Sequence, residues 1–223
     1  MRTLVFDSET TGLSQTQIIS PSTIHLWPHV VQFSYIVFDT ESNKIVKIKD
    51  SIIKVPDGFI ITEENAKIHG ITTEISLAKG VDLEPVLEEF FEDLKTADHI
   101  VGHNVSFDIN IVKVELQRLI INSSDEKLQE YLTTINTSTK FYCTMQETIE
   151  LCDIEMKDKY GRPYKKFPKL VELYQKMFGV TPKNLHNSLN DVLVCLRCFI
   201  KLKYEIDIVE RSEEVKQMIK DYL

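Results

Sequence analysis

Asp7 and Glu9 stand two residues apart in Phe6-Asp7-Ser8-Glu9-Thr10-Thr11-Gly12-Leu13. In an extended chain such residues face the same way, about 7 Å apart, so both carboxylates share one face. Gly12 permits a sharp departure that leaves Leu13 beside them. A second group, Gly102-His103-Asn104-Val105-Ser106-Phe107-Asp108, lies where an apolar strand hands over to a helix. Asp108 then falls in the first helical turn, where the positive end favours an ionised carboxylate. The third is His186-Asn187-Ser188-Leu189-Asn190-Asp191. Were it all helix, His186 and Asp191 would point about 140° apart. With Asn187 or Ser188 as the cap, His186 sits on the lead-in and can swing over a site that Asp191 holds from the helix. Each group alone also has a plain reading: solvated carboxylates, a helix N-terminal acid, a surface histidine before a cap.

Taken together they define a chemistry. Four carboxylates gathered without cations repel, and some must take up protons. Hard divalent ions that prefer oxygen, Mg²⁺ or Mn²⁺, remove that conflict. Two such ions about 3.5–4 Å apart can activate a water and stabilise the leaving oxygen of a phosphodiester. A histidine that titrates near neutrality is suited to take the proton from that water.

The elements that must position these groups are those of one α/β domain. The chain has 223 residues, 43% of them apolar and 27% charged, the balance of a globular protein. No stretch reaches the roughly 18 uninterrupted apolar residues of a membrane span, and Met1-Arg2-Thr3 runs into a strand without signal-peptide architecture. The expectation is a cytoplasmic protein (nuclear-cytosolic in a eukaryotic or viral setting) with no membrane partner. A net charge of −8 argues against non-specific coating of nucleic acid but not against a nucleic-acid substrate bridged by cations. Cys195 and Cys198 have C-x-x-C spacing but no second pair to complete a zinc site, and read as buried thiols on a core helix.

Thr3–Phe6 reads as a central strand ending at Asp7; residues 30–38 and 45–55 read as a hairpin. Thr62 caps a short helix closed by Gly70. Helices follow over Asp82–Lys95, Asn104–Ile121, Thr144 (as cap) to about Cys152, from Pro168 as first helical residue, and over Ser188–Tyr204. Short strands fall at 99–102 and 141–143. Asn122–Lys140, rich in Ser, Thr and Asn around one weak helix, reads as an insertion. Ser212 caps an amphipathic helix with Val215, Met218, Ile219 and Tyr222 on one side. Lys157, Lys159, Arg162, Lys165 and Lys166, interleaved with Tyr160 and Tyr164, form a basic-aromatic loop. Such a loop suits phosphate contact and base stacking on a single strand, and equally describes solvated lysines.

With these motifs in this order, the chain resembles the DEDDh, or DnaQ-like, 3′→5′ exonucleases, a family that includes proofreading epsilon subunits, oligoribonuclease and ribonuclease T. The resemblance extends to Trp27-Pro28, Val31-Gln32, Ile68-His69-Gly70-Ile71-Thr72 and Phe167-Pro168-Lys169-Leu170, and the TTGL form is most like the epsilon-type branch. It implies a ribonuclease H-like fold, a five-stranded mixed sheet flanked by helices, over residues 1–204, with a helical tail at 205–223. It implies Asp7, Glu9, Asp108 and Asp191 as ligands of two Mg²⁺ or Mn²⁺ ions, and His186 as general base. Leu13 resembles the wedge between the last two bases, Thr10 the 3′-hydroxyl pocket, and His69, Asn104 and Phe107 lining residues. Leu13 and Phe107 also read as core residues, and His69 as a helix C-terminal residue. The implied substrate is the 3′ end of single-stranded DNA, with RNA as the alternative, and the implied partner a polymerase. The 122–140 segment has no counterpart in the family pattern, and the tail differs from the extended polymerase-binding tail of epsilon subunits.

Overall fold

The computed structural model describes residues 1–222; Leu223, and the side chain of Tyr222 that was expected on the apolar face of the last helix, lie outside the described residues. The chain begins with β1 (Arg2–Thr10), β2 (Val30–Asp39) and β3 (Lys44–Ile52), then α1 (Glu63–His69), α2 (Thr73–Lys79) and α3 (Leu83–Thr96). β4 (His99–Gly102), α4 (Val105–Asn122), α5 (Glu126–Thr137) and β5 (Phe141–Cys143) follow. Then come α6 (Thr144–Glu147), α7 (Ile149–Cys152), β6 (Glu155–Lys157), β7 (Pro163–Lys165), α8 (Leu170–Phe178), α9 (Ser188–Tyr204) and α10 (Glu213–Tyr222).

The main sheet has the order β3-β2-β1-β4-β5. β1 and β2 pair antiparallel, as do β2 and β3, whereas β4 runs parallel to β1 and β5 parallel to β4. This is the mixed ribonuclease H-like topology that the resemblance implies. Because side chains alternate along β1, Leu4 and Phe6 enter one core with Phe90 of α3 and Val112 of α4. Val5 enters the other with Val192, Leu196 and Phe199 of α9. α9 therefore covers one face of the sheet and α3, α4 and α5 the other. Ile208 and Val215, from the tail, join the core under α9. Ser212 does sit at the start of the last helix, with Val215 N–H 3.4 Å from its hydroxyl.

Several elements differ from the sequence expectation. β1 runs on to Thr10, because its antiparallel pairing with β2 continues through Glu9 opposite Gln32, so both carboxylates lie on the strand. β3 ends at Ile52, and α2, capped by Thr72, was not foreseen. The helix from Thr144 breaks at Thr148, whose hydroxyl bonds back to the Thr144 carbonyl at 2.6 Å. Thr144 does not cap, because its hydroxyl lies 3.0 Å from His103 Nδ1 and 3.3 Å from the Gly102 carbonyl. Lys169 caps α8, so Pro168 lies two residues before the first helical residue, Leu170. The basic-aromatic loop is a two-stranded hairpin, β6 against β7.

Residues 122–140 are no appendage. Leu128, Tyr131 and Ile135 of α5 are buried in the core with α3, and Tyr131 stacks on Phe91 at 4.5 Å. All four cysteines are free and buried. Among the described residues no helix is long and apolar enough to cross a membrane.

Candidate active site

β1 and β4 run parallel; β4 ends beside Phe6, just before Asp7, while β1 runs on to Thr10, and α4 starts just beyond β4. Such carboxyl strand ends are where open α/β sheets build sites. Asp7 and Glu9 share the face of β1 that carries Val5, the α9 face. Ser8 points the other way and meets Asp108 in the first turn of α4. Its N–H donates to Asp108 Oδ1 at 3.0 Å and its hydroxyl to the same oxygen at 2.7 Å. The buried Asp108 is thus tied to the strand between the other two acids.

α9 is locked over the site by its first residues. Asn187 caps it, and the Ser188 hydroxyl donates to the Asp7 carbonyl at 2.6 Å. The Ser188 N–H donates to Gln32 Oε1 at 3.2 Å, and Gln32 Nε2 donates in turn to Asp50 on β3 at 2.7 Å. This register brings Asp191, in the first turn of α9, beside Glu9. His186 lies on the lead-in with a left-handed φ of 68°, and its N–H donates to Asp191 Oδ2 at 3.0 Å. One ligand atom each from Glu9, His186 and Asp191 fall within 4.8 Å of one another. The histidine ring is therefore in the cluster, which exposes it to solvent on the open side.

The electrostatics of the site are those of a cation sink. Burial raises the Asp7 carboxyl well above the usual range, and Asp108, Asp191 and Glu9 push it further. Burial lifts Glu9 to about 7. It also lifts Asp108 to about 7 against the two Ser8 hydrogen bonds, and Asp191 to about 7 with help from Glu9. Carboxylate oxygens that raise one another's proton affinity, with one imidazole among them, fit hard divalent ions.

The other expected residues lie at the end of β1 and just beyond it, at the end of α1 and at the start of α4. Thr10 ends β1 with its hydroxyl bonded to the Gly12 carbonyl at 2.7 Å. Gly12, at φ 140°, makes the turn, and Asn65 of α1 donates to the Thr11 carbonyl at 2.5 Å. Leu13 beyond it is 83% exposed, which excludes a core role. His69 is buried at the end of α1. Its Nδ1 accepts from Ile71 N–H at 3.1 Å, while its Nε2 has no hydrogen-bond partner. Burial lowers its pKa, and so does the nearby His186. Asn104 is exposed in a left-handed conformation at φ 66°. Phe107 is half-buried and packs against the core of α3 and α4.

Four further residues position the site: Ser8 and Asp50 had no assigned role in the sequence, Ser188 was read only as an alternative cap, and Gln32 only as part of the resemblance. Ser8 carried a signal in being the residue that two carboxylates flank; Asp50 carried none. His103 is a fifth: it was noted in the motif, and it bridges Thr144 and the Pro168 carbonyl, each at 3.0 Å. Burial pushes its pKa down to about 4, so it works as a neutral strut.

Comparison with known proteins bears on the fold and the family. The solved structures of similar fold include Escherichia coli exonuclease I with a dT13 oligonucleotide, at a TM-score of 0.59 and 20% identity over 92% of this chain and 42% of that one. A 3′-exonuclease solved with a histone mRNA stem-loop matches at 0.60 and 9% identity over 93% of this chain and 65% of that one. At such identities the likeness speaks for the fold. Among curated relatives, DNA polymerase III subunit epsilon of Haemophilus influenzae is 26% identical over 160 residues, 68% of this chain and 56% of the relative. The epsilon subunit of Buchnera aphidicola is 25% identical over 140 residues, 61% and 52% of the two. The chain thus spans about half the length of these relatives. The exonuclease family model matches residues 4–199, a span that holds all four acids and His186, and the chain belongs to that family.

Proposed function

We propose that this protein is a 3′→5′ exonuclease that hydrolyses single-stranded DNA from its 3′ end and releases nucleoside 5′-monophosphates. The observation that carries the reading is the gathering of Asp7, Glu9, Asp108 and Asp191, from β1, α4 and α9, close enough to raise one another's affinity for protons. When bound there, two Mg²⁺ or Mn²⁺ ions supply the charge that activates a water and stabilises the leaving 3′-oxygen.

The chain's own residues do the rest. Asp7, Glu9, Asp108 and Asp191 hold the ions. An imidazole nitrogen of His186, on the open side, takes the proton of the attacking water. Water oxygen bonds to phosphorus as the bond to the 3′-oxygen of the penultimate nucleotide breaks, and that oxygen leaves as the new 3′-hydroxyl. Leu13, exposed past the Gly12 turn, wedges against the terminal base. Thr10, His69, Asn104 and Phe107 line the terminal nucleotide. A polymerase is the expected partner, since the curated relatives are epsilon subunits by name.

End-labelled single-stranded DNA and RNA, incubated with Mg²⁺, Mn²⁺ or chelator, test the reading against Asp7→Ala. A ladder of 3′-shortened products, lost with chelator and in the variant, is expected, and faster on DNA than RNA. Shortening that survives chelation, or an unimpaired variant, refutes it. Equal or faster cutting of RNA moves the substrate to RNA and leaves the chemistry standing.

A further inference from the structure

Between α7 and α8 the chain leaves the body as the β6–β7 hairpin, whose strands are exposed throughout. Its base is fixed. Lys166 N–H donates to the Ile154 carbonyl at 3.0 Å, and Ile154 packs with Leu173, Tyr174 and Val194. Two residues further on, the Pro168 carbonyl lies 3.0 Å from His103 Nε2. His103 directly follows β4 in the stretch that leads to Asp108. The hairpin therefore hangs from the end of the sheet that carries the carboxylates.

Its tip is built to hold one ring in the open. Asp158 Oδ1 accepts the N–H groups of Tyr160 at 2.8 Å and Arg162 at 2.9 Å, and Oδ2 accepts Arg162 Nε at 2.7 Å. Gly161, at φ 79°, closes the turn. Tyr160 is thereby left 70% exposed, with Lys159 Nζ 5.0 Å and the Arg162 guanidinium 5.2 Å from its ring centre. Tyr164 and Phe167 are exposed along the same segment. Lys165 pairs with Glu150 and Asp153, and Lys166 with Glu172, which stiffens the base. Lys157 and Lys159 form no ion pair among the described residues. In a chain of net charge −8, residues 155–167 hold five basic side chains and two acidic ones. Exposed rings beside unpaired cations add little to folding, and they match what a single strand offers: base faces and phosphates.

We propose that this hairpin is a single-strand-binding arm. Tyr160 stacks on a base of the substrate strand upstream of its 3′ end, and Lys157 and Lys159 contact the adjoining phosphates. Residues 154–160 span at most roughly 20 Å, so the ring meets the strand some nucleotides back from the bond that is cut. The arm rests on the exonuclease reading above, and it explains how an acidic protein holds a polyanion away from its metal site.

The test is binding without turnover: fluorescence anisotropy of labelled oligo(dT) with the full chain in chelator, over a range of salt. Tyr160→Ala is expected to weaken binding roughly 5- to 100-fold, the range for losing one stacked base, while Tyr160→Phe keeps the affinity. Lys157→Ala with Lys159→Ala is expected to flatten the dependence of log K on log salt by about 0.7 for each phosphate that is no longer neutralised. Unchanged affinity and slope in these variants overturn the arm and leave the aromatic face to a protein partner. A Phe variant as weak as the Ala variant overturns the stacking. Because no hydrolysis is involved, these outcomes are separate from failure of the exonuclease reading, which shows as absence of metal-dependent 3′ shortening.

Discussion

Ser8 holds Asp108 twice, with its backbone N–H at 3.0 Å and its hydroxyl at 2.7 Å, both on Oδ1. Two bonds on one oxygen fix the carboxyl's rotation and leave Oδ2 for the site. They also join the core face of β1, where Ser8 points, to the carboxylates on its other face. Ser8→Ala removes the hydroxyl and keeps the backbone bond. It is expected to cost about 1–3 kcal/mol in stability and to raise the Mn²⁺ concentration needed for half-maximal activity. A lower melting temperature with an unshifted Mn²⁺ midpoint would reduce Ser8 to a packing residue.

His186 offers a cleaner cut, because its backbone and its ring do different things. The N–H anchors Asp191, and the left-handed φ of 68° suits asparagine better than alanine. His186→Asn is therefore expected to keep the fold and the anchor while turnover falls roughly 10²–10⁴-fold, the range for losing a general base. Near-normal turnover would remove the ring from the mechanism.

The raised carboxyls give the metal-free protein a pH dependence of definite sign. Glu9, Asp108 and Asp191 hold protons up to about 7 in the fold, whereas the unfolded chain releases them near 4. The folded state thus binds more protons between these values. The stability this contributes is complete below about pH 4 and is lost as pH rises through about 7. Bound divalent ions replace those protons. The rise in melting temperature on adding Mn²⁺ to chelated protein is expected to be larger at about pH 8 than at about pH 5. An equal rise at both would mean that the acids are already ionised without metal.

Tyr131 tests whether the 122–140 segment is expendable. The ring is 3% exposed and lies 6° from parallel to Phe91. Tyr131→Ala is expected to cost about 3–5 kcal/mol, the range for emptying a buried aromatic site. At this chain length that is a fall of roughly 6–20 °C in thermal midpoint. A fall under about 2 °C would return the segment to the status of an insertion.

What the sequence reveals and what it hides divide along physical lines. Caps and turns act within a few residues, so Thr62, Gly70, Asn187 and Gly12 announce their elements directly. Composition misled at α5: Ser, Thr and Asn suggested an insertion around one weak helix, although Leu128, Tyr131, Leu132 and Ile135 repeat at helical spacing and pack into the core. The 155–165 hairpin was illegible because its strands are three residues each and exposed on both sides, which erases the alternation that marks a strand.

By itself the sequence offered the candidate members of the site: four acids and a histidine, on a strand end, a helix start and a helix lead-in. Only the tertiary structure decided that they meet. The parallel register of Thr3 with His99 and Val5 with Val101 brings the end of β4, and the start of α4 beyond it, beside the Asp7–Glu9 stretch of β1. The contacts of Ser188 with Asp7 and Gln32 then set α9 over them. Pairing register and helix docking are settled between residues about a hundred or more positions apart, where local propensity has no reach, and so the convergence of charge could be read only from the folded chain.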